Sequence, residues 1–183
     1  MQLSNNTQAY LCRFYEILDT MVKDMTGTPL IDSVSHNFIT QMIPHHVAAI
    51  EMSQNLLRYT TLIPLQDIAQ NIITEQTEGI HDMKAALSRC SGCVNSPHEL
   101  CLYQKRLDRI VQNMFSRMNN ACRGNDINWN FMREMIPHHE GAIQMSKNAL
   151  YFPICPELVP ILEAIITSQE KGVRQMKCLL RRC

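Results

Sequence analysis

Glycine is scarce in this chain, at 6 of 183 residues, aromatics make up 6%, and there is a single Trp. Tight hairpin turns draw on glycine, and strands draw on aromatic and β-branched residues, so this composition suits helices better than sheets. An excess of one charge is also missing, with 17 basic and 17 acidic side chains. That balance leaves no basic stripe for nucleic acid and no acidic solvating tail. Long hydrophobic runs are absent too. The apolar stretches are short and broken by charge, so no membrane span is expected. There is no Gly-x-Ser-x-Gly elbow and no glycine-rich phosphate loop, so neither acyl-transfer nor nucleotide chemistry has its usual frame. The segment Met1 to Tyr10 lacks the basic and apolar regions of an export leader. The localisation expected from the sequence as it stands is cytoplasmic, or exported if a leader has been trimmed.

Sulfur, by contrast, is plentiful: 12 Met and 8 Cys. The cysteines are Cys12, Cys90, Cys93, Cys101, Cys122, Cys155, Cys178 and Cys183. An even number invites disulfides, yet their pairing cannot be assigned from sequence. The missing leader argues for reduced thiols. Cys90-Ser91-Gly92-Cys93 is a lone C-x-x-C. A zinc site normally adds a second such pair, which this chain lacks, so a linker turn with incidental or paired thiols is the plainer reading.

The chain is duplicated. Shifted by 93 positions, residues 8–90 lie on 101–183 without a gap, and 30 of the 83 aligned pairs are identical. Tyr10 meets Tyr103, Met21 meets Met114, Gln76 meets Gln169, Gly79 meets Gly172 and Met83 meets Met176. Two copies are too few for a solenoid. At this length the expectation is one domain over 1–183, with residues 91–100 as the linker and a pseudo-two-fold relation between halves.

Each repeat reads as three helices. The first carries Tyr10, Phe14, Ile17, Leu18, Met21 and Met25 at steps of three and four, and its partner Tyr103, Leu107, Ile110, Met114 and Met118. Gly27 and Pro29 end the first. The second is expected to open near Ser35 in one repeat and Asn128 in the other, both good capping types. The third carries Leu65, Ile68, Ile72, Gln76, Gly79, Met83 and Leu87, matched by Leu158, Ile161, Ile165, Gln169, Gly172, Met176 and Leu180. Spacings of 3-4-4-3-4-4 make a bundle seam. The short second-to-third connections make those helices antiparallel neighbours. The expected fold is all-α, a four-helix bundle core with the first helix of each repeat packed alongside.

The chemistry concentrates in one string. Met42-Ile43-Pro44-His45-His46 runs on to Met52-Ser53, and Met135-Ile136-Pro137-His138-His139 to Met145-Ser146. Residues four apart share a helix face, so Met42 and His46 point together, as do Met135 and His139. His45 and His138 lie about 100° round, as flanking ligands or supporting donors. Thioethers are soft and neutral and favour Cu(I) or Ag(I), and neutral imidazole accepts copper or zinc. Calcium and magnesium want oxygen ligands, which the stripe lacks. Copper(I) is therefore the expected metal, with silver or zinc as alternatives and no organic cofactor. Met42, His45, His46, Met135, His138 and His139 are the candidate ligands. Met52, Met145, Met83, Met176, Gln76 and Gln169 form a secondary set, the two amides as hydrogen-bond partners of ligating rings. Pro44 and Pro137 either bend these helices or start them. Methionines at helical spacing are, on their own, ordinary core packing.

The Met-Ile-Pro-His-His-x-x-Ala-Ile-x-Met-Ser string, followed by an Ile-Ile-x-x-Gln helix ending in Met, resembles domain-of-unknown-function family 305. The likeness covers both repeats. It implies a ferritin-like helical fold, frequent export by bacteria, and copper or silver binding in some members. It also implies Met42, His45, His46, Met135, His138 and His139 as ligands here. The chain departs from the family pattern at Gly79 and Gly172, where members often carry Glu.

Three functions compete. The leading one is a non-catalytic soft-metal binder for storage, buffering or delivery, with metal ions as its partners and a homo-oligomer left open. The second is a ferritin-like redox enzyme. Glu78-Gly79-Ile80-His81 matches the Glu-x-x-His of di-iron bundles, but positions 171 and 174 in the copy are Lys and Arg, and the seam turns His81 outward. The third is a structural or interaction bundle. His36, His81 and His98 have no histidine counterparts and read as surface or capping residues.

Overall fold

The computed structural model describes residues 2–90, 92–121 and 124–181. Among these the fold is all-α: α1 (Asn5–Gly27), α2 (Val34–Leu57), α3 (Ile63–Arg89), α4 (Pro97–Asn119), α5 (Ile127–Ala149) and α6 (Val159–Leu180), with a short 3-10 turn at Pro156–Leu158. No helix is long and apolar enough to cross a membrane. Cys122 and Cys183 lie outside the described residues.

Local signals account for most helix ends. Ser4 accepts from Thr7 N to cap α1, which stops at Gly27 with Thr28 extended. Before α4, Ser96 and Glu99 form a reciprocal capping box with Pro97 at the first turn, so the helix begins inside the stretch expected as linker. The second helices start two residues earlier than expected. Ser33 caps α2 by accepting from His36 N, and Asp126 caps α5 by accepting from Trp129 N. Ser35 is engaged elsewhere: its hydroxyl accepts from Cys155 N at 2.9 Å. Both α2 and α5 run on through Pro44 and Pro137, so neither proline starts its helix.

Residues 58–62 turn the chain so that α3 packs along α2, and 150–158 do the same for α6 and α5. α2 also packs on α5 and α3 on α6, while α1 lies on α2 and α4 on α5. The core is filled by Phe14, Phe38, Phe131, Leu65, Leu158 and the described methionines, from Met21 to Met176, all buried. Ile110, Leu87 and Leu180 from the expected stripes are only partly buried against it.

Equivalent asparagines do equivalent work in the two halves. Asn37 clamps the N–H and C=O of Ile31, and Asn130 those of Gly124. Asn55 donates to the Tyr10 carbonyl, and Asn148 to that of Tyr103. These bonds fix each first helix against its second helix.

The end of the molecule near residue 90 is tied down covalently. Cys90, at the end of α3, forms a disulfide with Cys155 in the α5–α6 connection. The sequence left the state of the thiols open, and this pair is oxidised, with Cys90 bonded to Cys155 rather than to Cys93 of its C-x-x-C. Asn95 adds a polar clasp at the same place. It accepts from Val34 N, donates to the Pro153 carbonyl, and its own N–H donates to Asp32 O.

Candidate metal centre

Where α2 crosses α5, the two Pro-His-His strings meet. The rings of His45 and His138 stack with centroids 3.6 Å apart and planes tilted by 33°. His46 lies 6.1 Å beyond His45, and His139 lies 6.0 Å beyond His138, centroid to centroid. Four imidazoles thus form one continuous group across the helix interface, and all four are buried. The outer pair faces a shared space.

That space is a cavity of about 160 Å³ between the two α2/α5 histidines and the helices α3 and α6. His46, His139, Gln76 and Gln169 line it, together with Gly79. The glycines explain how the rings fit. A Cβ built on Gly79 would lie 3.2 Å from His46 Cδ2 and 3.3 Å from its Nε2. On Gly172 it would lie 2.9 and 3.0 Å from the same atoms of His139. Each imidazole edge therefore rests on a helix at the one residue type that leaves it room.

Burial sets the electrostatics. Loss of solvent lowers the pKa of His46 to about 4, slightly offset by the nearby Met42 carbonyl. Burial, helped by the neighbouring His46, lowers His139 to about 3. His45 and His138 are pushed well below their ordinary value, by burial first and by the surrounding imidazoles second. All four are neutral near pH 7, the form that ligates metals.

They are also short of partners. The Nδ1 atoms of all four rings, both nitrogens of His45 and His138, and the Oε1 atoms of Gln76 and Gln169 make no well-aligned hydrogen bond within the protein. Each such buried group costs about 1–3 kcal/mol, which makes a cluster of them a place for a ligand. Imidazole nitrogen suits copper or zinc, and an amide oxygen, a harder donor, serves better to orient a ligating ring by accepting its N–H.

The methionines sit differently from the histidines. Met42, Met135, Met52, Met145, Met83 and Met176 are all buried in the core, and none lines the cavity. Sequence reasoning also passed over the cavity's carboxylates. Glu75, Glu78 and Asp82 of α3 contribute to the wall, with Glu78 and Asp82 exposed at its lip and Glu75 paired to Lys171 at 3.5 Å. Glu78 was visible in the Glu-x-x-His string, but its position one step off the seam hid its place at the rim. His81 of that string points to solvent, its side chain 86% exposed. His98 is also exposed, while His36 is half-buried in the first turn of α2 with its N–H donating to Ser33. Among the described residues, the one group of three His, Cys, Asp or Glu ligand atoms within 4.8 Å of one another lies elsewhere, at Cys90, Cys155 and Glu157.

Known structures share this architecture. A fragment of a DUF305 protein from Deinococcus radiodurans superposes with a TM-score of 0.60 at 23% identity, covering 85% of this chain and all of that one. CopM in its silver-bound form, obtained by soaking, gives a TM-score of 0.61 at 27% identity, covering 83% of this chain and 98% of that one. No curated protein matches the chain. The family described as Domain of unknown function (DUF305) matches residues 20–87 and again 35–180. The chain therefore belongs to the DUF305 family.

Proposed function

We propose that this protein binds a soft metal ion, copper(I) or silver(I), at the histidine cavity, in a non-catalytic role of storage, buffering or delivery. The observation that carries the reading is the buried group of four neutral imidazoles whose ring nitrogens have at most a poorly aligned backbone carbonyl for a partner, two of the rings opening on one cavity with two unpartnered amide oxygens. Similarity to CopM, a protein seen with silver bound, supports the class of metal. His46 and His139 are the primary ligands in this reading, with Gln76 and Gln169 as hydrogen-bond partners of the ligating rings. His45 and His138 flank the outer rings, and Met42 and Met135, one helical turn before His46 and His139, pack in the core and not on the cavity wall.

The same reading treats α2, α3, α5 and α6 as a ferritin-like four-helix core, in one domain built from a duplicated three-helix unit. The equivalent asparagine clamps and the paired orphan atoms support it. One observation favours a second reading. Glu78 and Asp82 at the lip offer hard oxygen donors, which a redox centre for iron or manganese would use. Elemental analysis of protein from rich medium separates the two.

The principal test is competition for Cu(I) against a chromophoric chelator under anaerobic conditions. The wild type should withdraw copper from the chelator, and a His46→Ala/His139→Ala double variant should lose that ability. Unchanged stoichiometry in a folded double variant would remove these histidines from the site.

A further inference from the structure

The second place where ligating atoms converge is the disulfide end of the molecule, far in sequence from the histidines. Cys90 and Cys155 are both buried, and an oxygen of Glu157 lies 3.0 Å from Cys155 Sγ. The two sulfurs and the carboxylate all lie within 4.8 Å of one another. Cys93 follows Cys90 in the same turn, with its N–H donating to the Cys90 carbonyl at 3.3 Å, and its side chain is partly buried against the core. A C-x-x-C turn supplies two ligands of a thiolate zinc site and needs others from elsewhere in the fold. Here the α5–α6 connection brings them.

We propose that reduction converts this disulfide into a thiolate metal site, formed by Cys90, Cys155 and Glu157 with Cys93, whose sulfur lies outside that group of three, turning in as the fourth ligand, that takes a thiophilic d10 cation of the zinc(II) class. A dithiol reductant delivers two electrons and two protons to the Cys90–Cys155 bond, leaving two thiols and becoming a cyclic disulfide itself. The cation then displaces the thiol protons as it binds. Two features favour the site over free thiols. Crowding a carboxylate against thiolates is repulsive unless a cation lies between them. The two loops also stay in register without the S–S bond, because Asn95 bonds to the Pro153 carbonyl and to both Asp32 O and Val34 N, and Ser35 holds Cys155 N. Glu157 is exposed and Cys93 partly so, which leaves the ligand set reachable from solvent.

The test compares oxidised and dithiol-reduced full-length protein, the reductant removed anaerobically, with the His46→Ala/His139→Ala background used throughout to silence the histidine cavity. Reduced protein should take up one more equivalent of zinc than oxidised protein, and cobalt(II) in its place should give thiolate-to-metal charge-transfer absorption. Cys155→Ser should abolish the extra equivalent, and Cys93→Ser should weaken it at least tenfold. Because cysteine variants can lose structure, the decisive reading is on unaltered cysteines. Zinc should protect Cys90 and Cys155 from alkylation in the reduced protein, as mapped on peptides, while exposed Cys12 and Cys101 react as before. Equal zinc uptake in both redox states, or alkylation of Cys90 and Cys155 undiminished by zinc, would overturn the proposal.

Discussion

Gly79 and Gly172 are equivalent by the duplication, but the space above them is not. An alanine at Gly172 would put Cβ at 2.9 Å from His139 Cδ2 and 3.0 Å from Nε2, whereas at Gly79 the distances to His46 are 3.2 and 3.3 Å. Relaxed carbon contacts lie at roughly 3.5–4.0 Å, so the His139 ring must retreat by about half an ångström or more and the His46 ring by a few tenths. Both positions are inside helices, where Gly→Ala stabilises by about 1 kcal/mol through backbone entropy alone. Overpacking a tight core costs about 1–3 kcal/mol. His46 and His139 are equally buried, at 2% exposed, so the shorter distances at Gly172 are what should let the steric term dominate there. At Gly79 the two terms should nearly cancel. Urea denaturation of metal-free protein should therefore show Gly79→Ala within about half a kcal/mol of wild type and Gly172→Ala destabilised by about 1–2 kcal/mol. Binding should separate them further. Ligands need placement to about 0.5 Å, so Gly172→Ala should weaken copper or silver binding by about tenfold or more, with a much smaller effect at Gly79. If both alanines stabilise by the full helical increment and leave metal affinity alone, the rings do not rest on these glycines and the account of the cavity fails.

Three further outcomes follow from the same geometry. In metal-free protein, unfolded imidazoles titrate near 6.5 while folded His46 does so at about 4, so the unfolded state binds the proton first as pH falls. Stability should be full above pH 6.5 and drop by about 3 kcal/mol towards pH 4 from His46 alone, read from urea midpoints across pH and flattened in His46→Gln. Gln76→Met and Gln169→Met remove a buried amide oxygen with no partner. Thermal or urea unfolding should show metal-free variants unchanged or more stable by about 1–2 kcal/mol, together with weaker metal binding in the chelator assay. Reducing the Cys90–Cys155 bond, which closes a loop with a sequence separation of 65, should cost up to about 4 kcal/mol in urea unfolding without added metal.

How much of this was readable beforehand depends on the range of each interaction. The helices were, because a step of three and four is local: the buried faces of α1 and α3 contain the expected Tyr10, Phe14, Met21, Leu65, Ile72 and Met83. The starts of α2 and α5 were misplaced by two residues because both candidate positions are good caps. What decides for Ser33 over Ser35 is a hydrogen bond between Ser35 and Cys155, 120 residues away. Stacking of His45 on His138 is likewise a property of the α2–α5 crossing, and no pattern within either helix contains it. The lip carboxylates belong to a surface made by two helices together. Reading only the inward stripe of α3 left Glu78 and Asp82 outside the site. The Cys90–Cys155 pairing has no local signature at all.

Five pairs of buried polar side chains with an unpartnered atom fall at positions where the repeats are identical, His45 with His138, His46 with His139, Ser53 with Ser146, Asn55 with Asn148, and Gln76 with Gln169, while His36, Gln41, Gln104 and Asn128 carry such atoms where the repeats differ. Gly79 and Gly172, which make room for the rings, are identical as well. A core required only to be stable would gain by replacing such groups with aliphatic ones, since each costs free energy where it stands. The lip behaves otherwise. Glu75, Glu78 and Asp82 on α3 correspond to Ser168, Lys171 and Gln175 on α6. The cavity wall is thus symmetric in its histidines and glutamines and asymmetric at its lip, where the carboxylates lie on the α3 side, so a cation bound as proposed would approach through a negative field there. Charge-neutral Glu78→Gln/Asp82→Asn should accordingly slow metal uptake in a salt-dependent manner while leaving the final stoichiometry at the histidines intact.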